Sequence, residues 1–78
     1  MNIRFERNTA KQIASLEKAI KQRMKKGIDG LPGGDVKKLK GLDDTYRLRI
    51  GDYRIIFYMK GNDIIIKDII TRGSAYKN

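Results

Sequence analysis

Arg47, Arg49 and Arg54 stand on either side of Gly51-Asp52 in the stretch Tyr46-Arg47-Leu48-Arg49-Ile50-Gly51-Asp52-Tyr53-Arg54-Ile55-Ile56-Phe57. A Gly-Asp pair between two runs rich in Ile and Tyr reads as a two-residue hairpin turn. Such a turn sets Ile50 opposite Tyr53. Arg49 then falls opposite Arg54, Leu48 opposite Ile55, and Arg47 opposite Ile56. Opposed residues share a face, and faces alternate along each strand. Tyr46, Leu48, Ile50, Tyr53, Ile55 and Phe57 therefore make one apolar face, while the three arginines gather on the other. Two guanidiniums directly across a sheet repel each other. An anion between them removes that cost, and the planar guanidinium fork matches phosphate oxygens bidentately. Phosphate recognition is one reading of the pattern. The other is a solvated polar face relieved by Asp43, Asp44 and Asp52.

Any chemistry must proceed without histidine or cysteine, because the 78 residues contain neither. Disulfides, Cys/His zinc sites, thiol nucleophiles and every histidine-based device are excluded. No cofactor and no metal is expected. Charge is the dominant compositional signal: 18 Lys and Arg against nine Asp and Glu give a net +9 and a pI near 10.0. A domain this basic meets nucleic acid, an acidic protein or an anionic membrane. The membrane is the weakest of these. Residues 1–10 carry charges and no apolar core, so no signal peptide is read there. The longest apolar run, Ile55 to Met59, is far short of the ~20 residues a bilayer needs. With aromatics at 8%, an extended base-stacking platform is not expected, though a single stacking Tyr is compatible.

The elements that must position the arginines follow from periodicity. Residues 3–6 alternate apolar and polar, as a short strand does. Asn8 is a good N-cap for the next segment. Ile13, Leu16, Ile20, Met24 and Ile28 recur at helical spacing over residues 9–29. Ser15 could cap a second helix and divide the segment, so one helix and two both fit. Gly27, Gly30, Pro32, Gly33 and Gly34 close the helical region, and residues 35–42 read as an irregular basic connector. Tyr46–Ile50, Tyr53–Met59 and Ile64–Ile70 read as strands, joined by turns at Gly51-Asp52 and Gly61-Asn62. Residues 1–78 are expected to be a single α+β domain: an N-terminal strand, a helical hairpin or bent helix over about 8–30, and a three-stranded antiparallel meander. A chain this short buries only about 60% of its unfolded surface, so a protein partner is a natural source of extra stability.

The Leu39-Lys40-Gly41-Leu42 segment, the arginine hairpin and the tail Ile69-Ile70-Thr71-Arg72-Gly73-Ser74-Ala75-Tyr76 together resemble the RelE/ParE superfamily of bacterial toxins from type II toxin–antitoxin systems. The resemblance covers essentially the whole chain. For the RelE branch it implies a ribosome-dependent endoribonuclease that cleaves mRNA in the aminoacyl site, halting translation in the cytoplasm. It casts Arg47 and Arg49 as basic strand residues, Arg54 as a phosphate-binding Arg, Arg72 as a C-terminal active-site Arg, and Tyr76 as the residue that stacks on the base and assists proton transfer. Lys18, Lys21, Lys25, Lys26, Lys37, Lys38 and Lys40 become candidate contacts to RNA or the ribosome. For the helical lysines, an ordinary solvated face explains them equally well. Where such toxins favour Lys at the strand positions, this chain has Arg at 47 and 49. Arg stays protonated near neutral pH, so both are charge stabilisers and the general base is unassigned.

The same resemblance admits a ParE-like toxin that poisons DNA gyrase without cleaving RNA. A third reading is a non-catalytic basic RNA-binding module. Either toxin reading implies a cognate antitoxin, acidic where it covers the arginine face, together with ribosome and mRNA for the nuclease. No membrane and no small-molecule cofactor is implied.

Overall fold

A computed structural model describes residues 2–71. Within them the order is β1 (Asn2–Phe5), α1 (Arg7–Ala14), α2 (Lys18–Asp29), β2 (Val36–Lys38), β3 (Thr45–Ile50), β4 (Tyr53–Lys60) and β5 (Asp63–Thr71). The strands form one sheet in the order β1-β5-β4-β3-β2. β1 runs parallel to β5, and the other neighbours are antiparallel. The expected α+β class, N-terminal strand and β3-β4-β5 meander are present, and β2 is an additional edge strand. No helix among the described residues is long and apolar enough to cross a membrane.

Core formation explains the architecture. Leu48, Ile55, Phe57, Ile64, Ile66 and Ile69 line one face of the sheet and pack with Met24, Ile28 and Leu31. Tyr46 stacks on Phe57 with ring centroids 5.7 Å apart. The apolar stripe read from the sequence is shared by two helices. Met24 and Ile28 are fully enclosed, while Ile13, Leu16 and Ile20 pack at the margin. The break falls at residues 15–17. Ser15 ends α1, its hydroxyl donating to the Gln12 carbonyl at 2.8 Å, and α2 starts after Glu17 without a side-chain cap.

Three expectations are corrected. Asn8 lies inside α1, and the N-cap is Glu6, which makes no side-chain capping bond. Gly27 does not end the helix, since α2 continues through Asp29. A β-carbon on Gly27 would meet the terminal methyl of Ile50, which would have to turn aside to admit it. Residues 35–42 are not wholly irregular: Val36–Lys38 form an edge strand on β3, with Val36 opposite Leu48 and Lys37 opposite Arg47. Val36 is its one core-facing residue, too little alternation to read as a strand.

One irregularity was not legible beforehand. β4 and β5 pair regularly from Lys60–Asp63 to Phe57–Ile66, and then Ile56 pairs with Asp68. Lys67 is the surplus residue of a β-bulge. Its carbonyl accepts a 2.6 Å hydrogen bond from the hydroxyl of Thr9, a fully buried α1 residue. That bond satisfies a carbonyl lying outside the regular pairing, which would be costly to leave without a partner.

Candidate nucleic-acid interface

The hairpin register is the one the turn dictates. Ile50 pairs with Tyr53, Arg49 with Arg54, Leu48 with Ile55 and Arg47 with Ile56. Gly51, at φ +57°, supplies the left-handed conformation the tight turn requires. Because Leu48, Ile55 and Phe57 point into the helices, the alternation sends Arg47, Arg49 and Arg54 to the open face of the sheet.

The three arginines are not equivalent. Arg47 is held from within. Its Nη1 lies 3.6 Å from Asp35 Oδ1 and donates to the Asp35 carbonyl at 3.3 Å. The same carbonyl accepts the Arg49 backbone N–H at 3.0 Å, fixing the Asp35 loop to β3. The Arg47 side chain is 16% exposed. Arg49 and Arg54 are both exposed, and among the described residues neither has a carboxylate within ion-pair distance. Asp43, Asp44 and Asp52, the acids expected to relieve the cluster, form no ion pair with it. Asp43 and Asp44 instead use backbone carbonyls to shape their loop, accepting from the Thr45 hydroxyl and the Met59 N–H. Arg49 and Arg54, paired across the hairpin with no counter-charge among the described residues, make an arrangement that can take up a phosphate group. They offer hydrogen-bond donors and positive charge, and no base.

The candidate lysines divide between two surfaces. Lys37, opposite Arg47, joins the arginine face. Lys38, opposite Tyr46, falls on the other side of that edge strand, and Lys40 is exposed in the loop after it. Lys18, Lys25 and Lys26 are exposed on α2, and Lys21 is half-buried there. α2 covers the opposite side of the sheet, so one short RNA segment on the arginine face does not meet them. Arg72 and Tyr76 lie outside the described residues. Thr71, the last one described, pairs with Tyr53, next along β4 from Arg54.

Sequence reasoning missed three neighbours on this side. Arg4 pairs with Ile65, which pairs with Tyr58, placing Arg4 on the open face. Only the long-range parallel pairing of β1 with β5 reveals that. Lys67 sets its ammonium 5.1 Å from the Tyr58 ring centroid, and a hydrogen bond with the Tyr58 hydroxyl, with its electrostatic attraction, raises the Lys67 pKa. No local signal marks that pair, because it depends on the bulge.

A family model described as the ParE toxin of the type II toxin–antitoxin system parDE matches residues 2–76. A RelE1 protein of Methanocaldococcus jannaschii is 33% identical over 99% of this chain and 96% of its own length. Toxin RelE3 of the same organism is 30% identical over 97% of this chain and 96% of its own. The toxin chain fold recurs in the crystal structure of a RelB–RelE antitoxin–toxin complex from Methanococcus jannaschii, with a TM-score of 0.77 and 30% identity over 92% of this chain and 93% of that one. With a full-length family match, two relatives of like length and the same fold, the chain belongs to the RelE/ParE superfamily of toxins from type II toxin–antitoxin systems.

Proposed function

We propose that this toxin is a ribosome-dependent endoribonuclease that cuts mRNA in the aminoacyl site and so stops translation. The observation that carries the reading is the Arg49–Arg54 pair: two exposed guanidiniums, directly opposed, with no acidic partner among the described residues. In the reaction the 2′-hydroxyl oxygen attacks the adjacent phosphorus as the bond to the 5′-oxygen breaks, leaving a 2′,3′-cyclic phosphate and a 5′-hydroxyl. Arg49 and Arg54 grip the non-bridging oxygens and stabilise charge as it develops. Arg47, held by Asp35, adds positive field beside them. Arg72 is a further charge stabiliser, and Tyr76 stacks on the base and delivers a proton to the leaving oxygen. With arginines at 47 and 49, the proton of the 2′-hydroxyl goes to ribosomal or solvent groups. The setting is the cytoplasm, where the ribosome is.

A cognate antitoxin is the second partner in this reading, supported by the RelB–RelE complexes with which the fold is shared. The open face offers Ile56, Ile65 and Ile70, all half-buried, among its arginines. An antitoxin segment that covers it should present acidic and apolar residues together.

One observation favours a different target. The matching family model is described as the ParE toxin, and arginine replaces the strand lysines expected of the nuclease. On that reading the protein poisons DNA gyrase and leaves RNA intact. Expressing Arg54→Gln and Arg72→Gln variants, with gyrase supercoiling assayed on the purified protein, tests both. The nuclease reading expects both variants to be non-toxic and gyrase unaffected. Inhibited supercoiling with intact mRNA selects the gyrase reading.

A further inference from the structure

The bulge in β5 aims a side chain at the same face as the arginines. Lys67, its surplus residue, places its ammonium over the ring of Tyr58. Tyr58 faces away from the helices, two residues along β4 from Ile56, which pairs with Arg47. Lys67 is exposed, and among the described residues no carboxylate lies within ion-pair distance of it. The neighbouring Asp68 carboxylate is occupied by the Ile69 N–H at 2.8 Å. The arrangement is built into the fold, because the fully buried Thr9 hydroxyl holds the Lys67 carbonyl. Bulges commonly re-aim a side chain beside a functional site.

We propose that Lys67, held in place by Tyr58, is a second phosphate contact for an RNA strand lying along β4 from Arg54 past Arg47. The inference rests on the nuclease reading and extends it to a strand longer than the scissile dinucleotide. At about 3.3 Å per residue, Tyr58 lies about 13 Å along β4 from Arg54. One phosphate cannot touch both ends, but a strand of several nucleotides can. An ammonium resting on an aromatic face loses less freedom on binding than a free lysine. Tyr58 is thus a positioning residue for Lys67.

The test is fluorescence anisotropy with 2′-O-methyl RNA strands of two and six nucleotides, which bind without being cut, over a salt series. Lys67→Gln should weaken the six-nucleotide strand several-fold, lower its salt slope by about one, and leave the two-nucleotide strand unchanged. Lys67→Arg should retain affinity. Tyr58→Leu should reproduce part of the loss, and adding it to Lys67→Gln should cost nothing further, a coupling a merely structural tyrosine would not show. Equal affinity of Lys67→Gln and the unaltered protein for both strands overturns the proposal, even where Arg54→Gln abolishes binding and the nuclease reading survives. An equal loss on both strands also overturns it, since that is a general charge effect. If the unaltered protein binds neither strand, the nucleic-acid reading of the arginine face falls too.

Discussion

Asp35 engages Arg47 twice, through its carboxylate at 3.6 Å and its carbonyl at 3.3 Å, whereas Arg49 and Arg54 are paired across the hairpin with no acid among the described residues within ion-pair distance. One acidic loop residue therefore divides three like-charged side chains into one held internally and two available to an anion. The carboxylate is more than half exposed, so the ion pair contributes at most about 1 kcal/mol. Asp35→Asn should leave the thermal midpoint almost unchanged. It removes the negative charge beside Arg47 while keeping the carbonyl contact, and should tighten binding of short RNA at low salt. Weaker binding in that variant would instead make Asp35 a residue that positions Arg47 for substrate.

The Arg49–Arg54 pair should cost the unbound protein stability. Replacing Arg54 with Gln removes the repulsion and should raise unfolding stability by up to about 1 kcal/mol at low salt. The gain should vanish near 1 M salt, where the screening length falls to about 3 Å. Urea denaturation at the two ionic strengths checks this. In the unaltered protein, inorganic phosphate should raise the thermal midpoint by preferential binding to the folded state, and in Arg54→Gln it should not. A variant no more stable at low salt would mean that the two guanidiniums do not repel appreciably.

Much of this site was legible from local rules. The two-residue turn fixed which side chains oppose each other, and the alternation of Leu48, Ile50, Ile55 and Phe57 chose the buried face, so the positions of the arginines followed. The helical stripe from Ile13 to Ile28 gave the core-facing residues. What escaped reading depended on contacts distant in sequence. Asp35 is 12 residues from Arg47, and Thr9 is 58 from Lys67. Gly27 looked like a helix terminator because the side chain it packs against, Ile50, lies across the core.

Thr9→Val preserves shape but removes the hydroxyl that satisfies the Lys67 carbonyl. The unpartnered carbonyl should destabilise the fold by about 1–3 kcal/mol. Chemical denaturation measures the loss. A near-neutral result would show that the carbonyl finds another partner.

Gly27→Ala should change stability by less than about 1 kcal/mol, because the better helix propensity of alanine is set against packing. The new methyl meets the terminal methyl of Ile50 at the α2–β3 contact, and turning Ile50 off its rotamer costs about 0.5–1.5 kcal/mol. A more stable Gly27→Ala protein would mean that helix propensity outweighs packing there. Pairing it with Ile50→Val, which makes room, should uncover the helix-propensity gain.

Primer extension on mRNA in a reconstituted translation reaction tests the central claim most directly, comparing the unaltered protein with folded Arg54→Gln. The account predicts cuts confined to codons in the ribosomal aminoacyl site and lost in the variant. Intact mRNA with the unaltered protein, or the same cuts made by Arg54→Gln, would contradict it.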